Sequence, residues 1–101
     1  MIEIRIDEEL GMIRAEGHAG YGKKGQDIIC AAVSAVMDLA ARAAMHKRDA
    51  RVETEEDGAM AVWGFGFRYS CVLSAAREEM EAIAEKYPDN VRVEVMSVRE
   101  E

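Results

Sequence analysis

Residues 27–37 read Asp-Ile-Ile-Cys-Ala-Ala-Val-Ser-Ala-Val-Met. Asp27 suits the start of a helix, because its carboxylate can accept hydrogen bonds from the otherwise unpaired N–H groups of the first turn. The residues after it are apolar on almost every side of a helix, and a helix with that pattern is buried on more than one side. We therefore expect a helix from Asp27 to about Lys47 at the centre of the fold.

The segment before this helix predicts two strands. Isoleucines at positions 2, 4 and 6 alternate with charged residues, which is the period of a half-buried strand. A second strand is expected from about Met12 to His18, with Ile13 and Ala15 on the apolar face and His18 at the end of the more polar face. Residues 19–26 hold three glycines and two lysines, a composition that predicts a loop.

The segment after the helix predicts a hairpin, a second helix and a last strand. Asp57-Gly58 favours a tight turn between strands at Arg51–Glu56 and Ala59–Tyr69. A helix is expected from Ser70 or Cys71 to Tyr87, just before the single proline, and valines at positions 91, 93 and 95 predict a strand. We expect four aromatic side chains to share one face of the hairpin and to pack in the core: Trp63, Phe65, Phe67 and Tyr69.

This order of elements predicts the fold class. A β-β-α-β-β-α-β chain forms an α+β domain, here with a largely antiparallel sheet and two helices packed on it. With 101 residues, half of them hydrophobic, the chain has enough apolar material for one core. We expect a single domain over residues 1–101.

Composition excludes several classes of protein. Thirteen Lys and Arg against twenty Asp and Glu give a net charge of −7, which argues against direct nucleic-acid binding. No apolar run is long enough to span a membrane, and the alternating charged start does not resemble a signal peptide. Two cysteines are too few for a disulfide framework, so we expect free thiols and a cytoplasmic location. Cys71 is expected to be a small buried hydrophobe.

Cys30 and His18 form the candidate catalytic pair. Cys30 falls at the third helical position, where the positive end of the helix dipole favours a thiolate. His18 ends a strand before the glycine-rich loop, so its imidazole can fold back over the helix start. A thiol beside an imidazole is the arrangement of an activated nucleophile. The alternative is that Cys30 is a core residue of an apolar helix.

Two further residues of this segment have more than one compatible role. Ser34 lies one turn after Cys30, where its hydroxyl can either bond back to a helix carbonyl or act in the site. Asp27 is either a simple N-cap or a carboxylate that supports the chemistry. Cysteine and histidine residues lack paired metal-ligand spacing, so we expect no metal and no cofactor.

The same residues carry a resemblance to a known family. Gly17-His18-Ala19-Gly20-Tyr21 followed by residues 25–35, Gly-Gln-Asp-Ile-Ile-Cys-Ala-Ala-Val-Ser-Ala, resembles the signature of the ribosomal-processing cysteine protease family (Prp, also called YsxB-like). The resemblance extends over the whole chain. It implies a cytosolic Cys–His endopeptidase that removes an N-terminal extension from the large-subunit ribosomal protein bL27 during ribosome assembly.

The resemblance also implies roles for particular residues. Cys30 falls on the catalytic cysteine and His18 on the catalytic histidine, while Asp27 and Ser34 fall on supporting positions. The family is expected to be homodimeric, with a loop that moves to admit the bL27 precursor peptide. The loop residues are Gly20, Tyr21, Gly22 and Gly25.

A second function class remains open from the residues alone. The chain could be a non-catalytic dimeric binding module on the ribosome, with Cys30 as a core residue. The two interpretations differ at Cys30, because only the protease needs its thiol.

Overall fold

The structure, a computed structural model, describes residues 1–17, 28–46, 50–55, 58–65 and 70–96. Its elements follow the order predicted from the sequence. They are β1 (Ile2–Asp7), β2 (Met12–Glu16), α1 (Ile28–Ala44), β3 (Arg51–Thr54), β4 (Met60–Trp63), α2 (Ser70–Lys86) and β5 (Val91–Met96).

The strands form one sheet in the order β3-β4-β2-β1-β5. The pairs β1–β2, β2–β4 and β3–β4 are antiparallel, and β1–β5 is parallel. A parallel neighbour must be reached by a crossover, and α2 provides the crossover before β5. The predicted α+β fold with a largely antiparallel sheet is therefore confirmed, with one parallel pair that makes the sheet mixed.

Both helices cover the inner face of this sheet. The three isoleucines of β1 lie in the core beneath them, together with Ile13 of β2 and Val62 of β4. Helix α1 contacts β3, β4 and α2, whereas α2 contacts β5. The alternation of the first strand thus predicts correctly which of its side chains are buried.

The outer face of the sheet carries charges instead. Arginine and glutamate side chains pair across neighbouring strands, as in Arg5–Glu94 at 3.8 Å and Arg92–Glu3 at 3.2 Å. Each exposed pair contributes at most about 1 kcal/mol to stability. Their main effect is to determine which face of the sheet the helices cover, because these charges would be costly to bury.

Strand β4 is shorter than predicted. It ends at Trp63 because Gly64, with a φ of +121°, turns the chain away from the strand direction. The N–H groups of Gly64 and Phe65 then both donate to the carbonyl oxygen of Gly11, at 3.1 and 3.0 Å. The expected single face of four aromatic residues is therefore wrong for the described part of the hairpin.

The aromatic side chains of this region have different surroundings. Phe65 is 2% exposed and belongs to the core, as expected. Trp63 is half-buried, and the guanidinium carbon of Arg51 lies 4.2 Å from its ring centroid. Phe67 and Tyr69 lie outside the described residues.

Helix α1 also differs from its prediction at two places. It ends at Ala44, before Lys47, because the His46 N–H donates to Ala43 at 3.3 Å in the tighter pattern of a final turn. The sheet and α2 cover two sides of the helix, but its outward side stays open, with Ile28 56% and Leu39 68% exposed. No second layer within the described chain covers that side.

The second helix follows its predicted pattern except at one cysteine. Leu73, Ala76, Met80 and Ile83 face the core at helical spacing. Cys71 is exposed, so its expected burial is wrong, because its position in the first turn of α2 faces away from the sheet. No helix in the described part of the chain is long and apolar enough to cross a membrane.

Gly17 bends the chain where β2 ends. Its φ of +96° is in the left-handed region, and a Cβ atom there would overlap the carbonyl oxygen of Met1. That carbonyl cannot move freely, because the N–H of the same peptide group, that of Ile2, donates a hydrogen bond to the carbonyl oxygen of Asn90 at 2.8 Å. Glycine is therefore required at position 17 for two reasons. Its positive φ disfavours other residues, and the Met1 carbonyl leaves no room for a Cβ atom.

We expect Gly17→Ala to lower the free energy of unfolding by about 2 kcal/mol or more, as measured by urea denaturation. Gly58→Ala is the matched control, because Gly58 also has a positive φ of +94° but no atom lies within 4 Å of the added carbon. The control should lose only about 1 kcal/mol. Equal losses in the two variants would show that the contact with Met1 does not matter.

Candidate active site

A groove lies between α1 and the strands β2, β3 and β4. Its volume is about 450 Å³. The floor is apolar and the rim carries polar side chains. The floor is formed by Ile2, Ala15, Val33, Met37 and Met60, and the rim by Glu16, Cys30, Ser34, Asp38 and Thr54.

Small side chains of the sheet create the space for this groove. Ala15 faces α1 from β2, two residues after the larger Ile13, and pairs with Met60 of β4. Met60 in turn pairs with Thr54 of β3 on the same face. Because a methyl group and a hydroxyl reach less far than the isoleucines beside them, the helix and this end of the sheet remain apart.

Cys30 borders the groove from the first turn of α1. It is the third residue of the helix and is half-buried. The preceding residue, Ile29, is 1% exposed and anchors this turn in the core. A thiol at this position lies at the positive end of the helix dipole, where a thiolate is stabilised.

Ser34 lies one turn further along α1 and lines the same groove. Its side chain is exposed to solvent. The structure therefore brings together Cys30 and Ser34, the two predicted site residues that it describes.

The other predicted site residues lie outside the described residues. They are His18, Asp27, Gly20, Tyr21, Gly22 and Gly25. Their nearest described neighbours in sequence are Gly17, which lines the groove, and Ile28, which begins α1.

Several groove residues were not predicted from the sequence. Glu16 accepts a hydrogen bond from Arg14, which also donates to Glu55 at 3.4 Å. The hydrogen bond to Glu16 raises the pKa of the Arg14 guanidinium above its usual value. Glu16 is therefore balanced by a cation of its own chain.

Asp38 is the second acidic residue on the groove rim. It is exposed and forms no ion pair among the residues that the structure describes. The spacing of Cys30, Ser34 and Asp38, each four residues after the last, could have predicted its place on the rim. Thr54 and Met60 gave no such signal, because their position depends on the order of strands in the sheet.

A second groove lies between α1 and α2, on the opposite flank of α1. Its volume is about 850 Å³, and we call it the interhelical groove. Its lining is mainly small and apolar, with Leu39 as its most exposed large side chain.

Among the described residues, no group of three His, Cys, Asp or Glu side chains is arranged to hold a metal ion.

Crystal structures from two bacteria share this fold. The S. aureus ribosomal processing protease Prp with a covalently linked product peptide superposes with a TM-score of 0.81, at 23% identity, over 95% of this chain and 100% of that chain. The same protease with a substrate peptide gives a TM-score of 0.76 at 22% identity, with the same coverage. The protein SMU.848 from Streptococcus mutans gives 0.75 at 24% identity, over 96% of this chain and 95% of that chain.

Sequence comparison identifies the family. A search of curated protein sequences gave no match. The family model for the cysteine protease Prp matches residues 1–92, which include the whole sequence motif and every element of the fold except most of β5. The chain therefore belongs to the cysteine protease Prp family.

Proposed function

We propose that this chain is a cysteine endopeptidase whose nucleophile is Cys30 and whose general base is His18. The observation that carries the proposal is the position of Cys30, in the first turn of α1 and on the rim of the 450 Å³ groove. The residue before His18 lines the same groove. Membership of a cysteine protease family supports the same assignment.

The reaction would proceed through an acyl-enzyme. His18 accepts the thiol proton, and the Cys30 thiolate adds to the carbonyl carbon of the peptide bond. N–H groups at the start of α1 stabilise the negative oxygen that forms. The C–N bond then breaks as the imidazolium protonates the leaving amine, and water hydrolyses the thioester.

Supporting roles follow for the neighbouring residues. Ser34 lies one turn beyond the nucleophile and can hydrogen-bond the backbone of a peptide in the groove. Asp27 precedes α1 and would hold its first turn as an N-cap. The loop residues Gly20, Tyr21, Gly22 and Gly25 would admit the peptide and cover it during the reaction.

We propose the precursor of ribosomal protein bL27 as the substrate, cleaved in the cytosol between its N-terminal extension and its mature part. The S. aureus relatives with this fold are ribosomal processing proteases, and one was crystallised with a substrate peptide. Charge supports the same substrate class, because a chain of net charge −7 attracts a basic ribosomal protein.

The rival interpretation is a non-catalytic, ribosome-associated module with Cys30 in the core. The half-buried position of Cys30 beside an open groove favours the protease, because a core thiol would be enclosed by its neighbours.

We also propose that the chain forms a homodimer through the interhelical groove. On this surface Leu39 protrudes, while Ala32, Ala35 and Ala43 leave shallow recesses beside it. A two-fold contact brings the same surface from both copies together, so each Leu39 can enter the recess of the other copy. Such pairing would also cover the apolar side of α1 that the single chain leaves open.

Cleavage tests the assignment of the nucleophile. Cys30→Ala should lower cleavage of the bL27 precursor by at least about 10³-fold, because no other group forms the thioester. The products are measured by intact-protein mass spectrometry. Cys71→Ala is the control and should cut at the native rate. Equal cleavage by Cys30→Ala and the native chain would exclude the protease hypothesis.

Thiol alkylation tests the role of His18. Cys30 and Cys71 each lie in the first turn of a helix, so the helix dipole acts on both. We expect iodoacetamide to label Cys30 at least about tenfold faster near neutral pH, because the proposed base, His18, would accept the proton of Cys30. Peptide mapping gives the two rates separately.

The matched variants for this measurement are His18→Ala and His46→Ala. His18→Ala should remove most of the difference between the two thiols, whereas His46→Ala, at an exposed position after α1, should leave it unchanged. An unchanged rate at Cys30 in His18→Ala would remove His18 from the role of base.

Sedimentation tests the homodimer. Leu39→Asp should shift the native dimer to a monomer, because it places a charge at the centre of an apolar contact. Met45→Asp is the control, since Met45 is 74% exposed and lies outside the groove. A dimer that persists in Leu39→Asp would exclude the interhelical groove as the interface.

A further inference from the structure

Two acidic residues border the catalytic groove, and their side chains are in different electrostatic situations. The side chain of Glu16 lies on the outer face of the sheet, beside Arg14. Glu16 accepts a hydrogen bond from Arg14, so its charge is balanced within the chain. Asp38 has no cationic partner among the described residues, although it lies over the same apolar floor. An unbalanced carboxylate beside apolar surface favours a cation brought by the ligand.

The other charged side chains that the structure describes near the groove do not supply this cation. Arg42 lies one turn after Asp38 on α1, and no ion pair joins the two side chains. Arg14 points to the outer face of the sheet, where it joins Glu16 and Glu55. No side chain among the described residues therefore pairs with the carboxylate of Asp38, and a bound peptide can supply its cation.

Helix geometry fixes how far this carboxylate is from the nucleophile. Asp38 follows Cys30 by eight residues, which is about 12 Å along a helix that rises 1.5 Å per residue. An extended peptide advances about 3.3 Å per residue, so the same distance spans three or four of its residues. Ser34 lies midway between the two positions.

We propose that Asp38 is a specificity-determining residue that selects peptides with lysine or arginine three or four residues from the bond cleaved by Cys30. This inference rests on the proposed protease function. The apolar floor would hold the intervening side chains, and the Asp38 carboxylate would pair with the ammonium or guanidinium group at the end of the groove.

The test is a scan of synthetic peptides that span the cleavage junction of the bL27 precursor. Lysine is placed at each of the four positions on either side of the cut bond, and norleucine at the same position is the neutral comparison. At one position, three or four residues from the bond, lysine should raise kcat/KM by about two- to fivefold, the range for an exposed ion pair.

Variants of Asp38 assign the effect to its carboxylate. Asp38→Asn should abolish the preference for lysine at that position, and Asp38→Lys should replace it with a preference for glutamate. Glu78→Gln is the matched control, because Glu78 is an exposed acid on α2 that lines neither groove. It should leave the lysine preference unchanged.

Two results would overturn the proposal. One is a lysine preference of equal size in the native chain and Asp38→Asn. The other is an equal gain from lysine at every position, which would indicate attraction by the net charge rather than by one carboxylate.

Binding separates this proposal from the protease function. Fluorescence anisotropy of the same peptides is measured with Cys30→Ala and with the double variant Cys30→Ala, Asp38→Asn. A lysine preference that depends on Asp38 without any cleavage by the native chain would support the recognition role and exclude the protease. Cleavage without a preference that depends on Asp38 would support the protease and exclude the recognition role.

Discussion

Strand β1 is the constraint on which the rest of the molecule depends. It pairs with β2 on one side and with β5 on the other, so it joins β5 to the β2-β4-β3 part of the sheet. Its three isoleucines lie under the helices, and burying each contributes about 2 to 3 kcal/mol relative to an exposed position. A shift of β1 by one residue would turn these side chains out and bring Glu3 and Arg5 into the core.

The groove lies where the inner face of the sheet carries smaller side chains. Towards the β3–β4 hairpin, the inner side chains include the smaller Ala15 and Thr54, and the first half of α1 has a gap on that flank. The buried Ile29 keeps the first turn of the helix in place while its neighbour Cys30 faces that gap. A core residue beside a half-buried thiol would hold the proposed nucleophile in place without enclosing it.

Local patterns predicted the parts of the fold that local forces decide. The alternation in β1 and the helical spacing of Leu73, Ala76, Met80 and Ile83 follow directly from burial on one face, and both predictions are confirmed. The end of β4 depends on a hydrogen bond between Gly64 and the distant Gly11, which no local pattern contains. The exposure of Cys71 likewise depends on how α2 is rotated over the sheet.

The candidate site likewise contains some residues that a local pattern predicts and others whose position depends on the tertiary fold. The motif around Cys30 was visible in the sequence, because a thiol near a helix start has a local signature. Asp38 could have been placed on the rim from its helical spacing with Cys30 and Ser34, but Thr54 could not, because β3 is far from Cys30 in the chain. Glu16 needed knowledge of its partner Arg14 before its charge could be interpreted.

The packing of the first residues against Gly17 matters for anyone who expresses the protein. Ile2 is part of the groove floor, and the carbonyl oxygen of Met1 lies against the turn that leads to His18. An affinity tag fused before Met1 would therefore leave the domain beside the groove that is proposed to bind the peptide. Inhibitor screens and peptide assays should use a protein whose N-terminal tag has been removed.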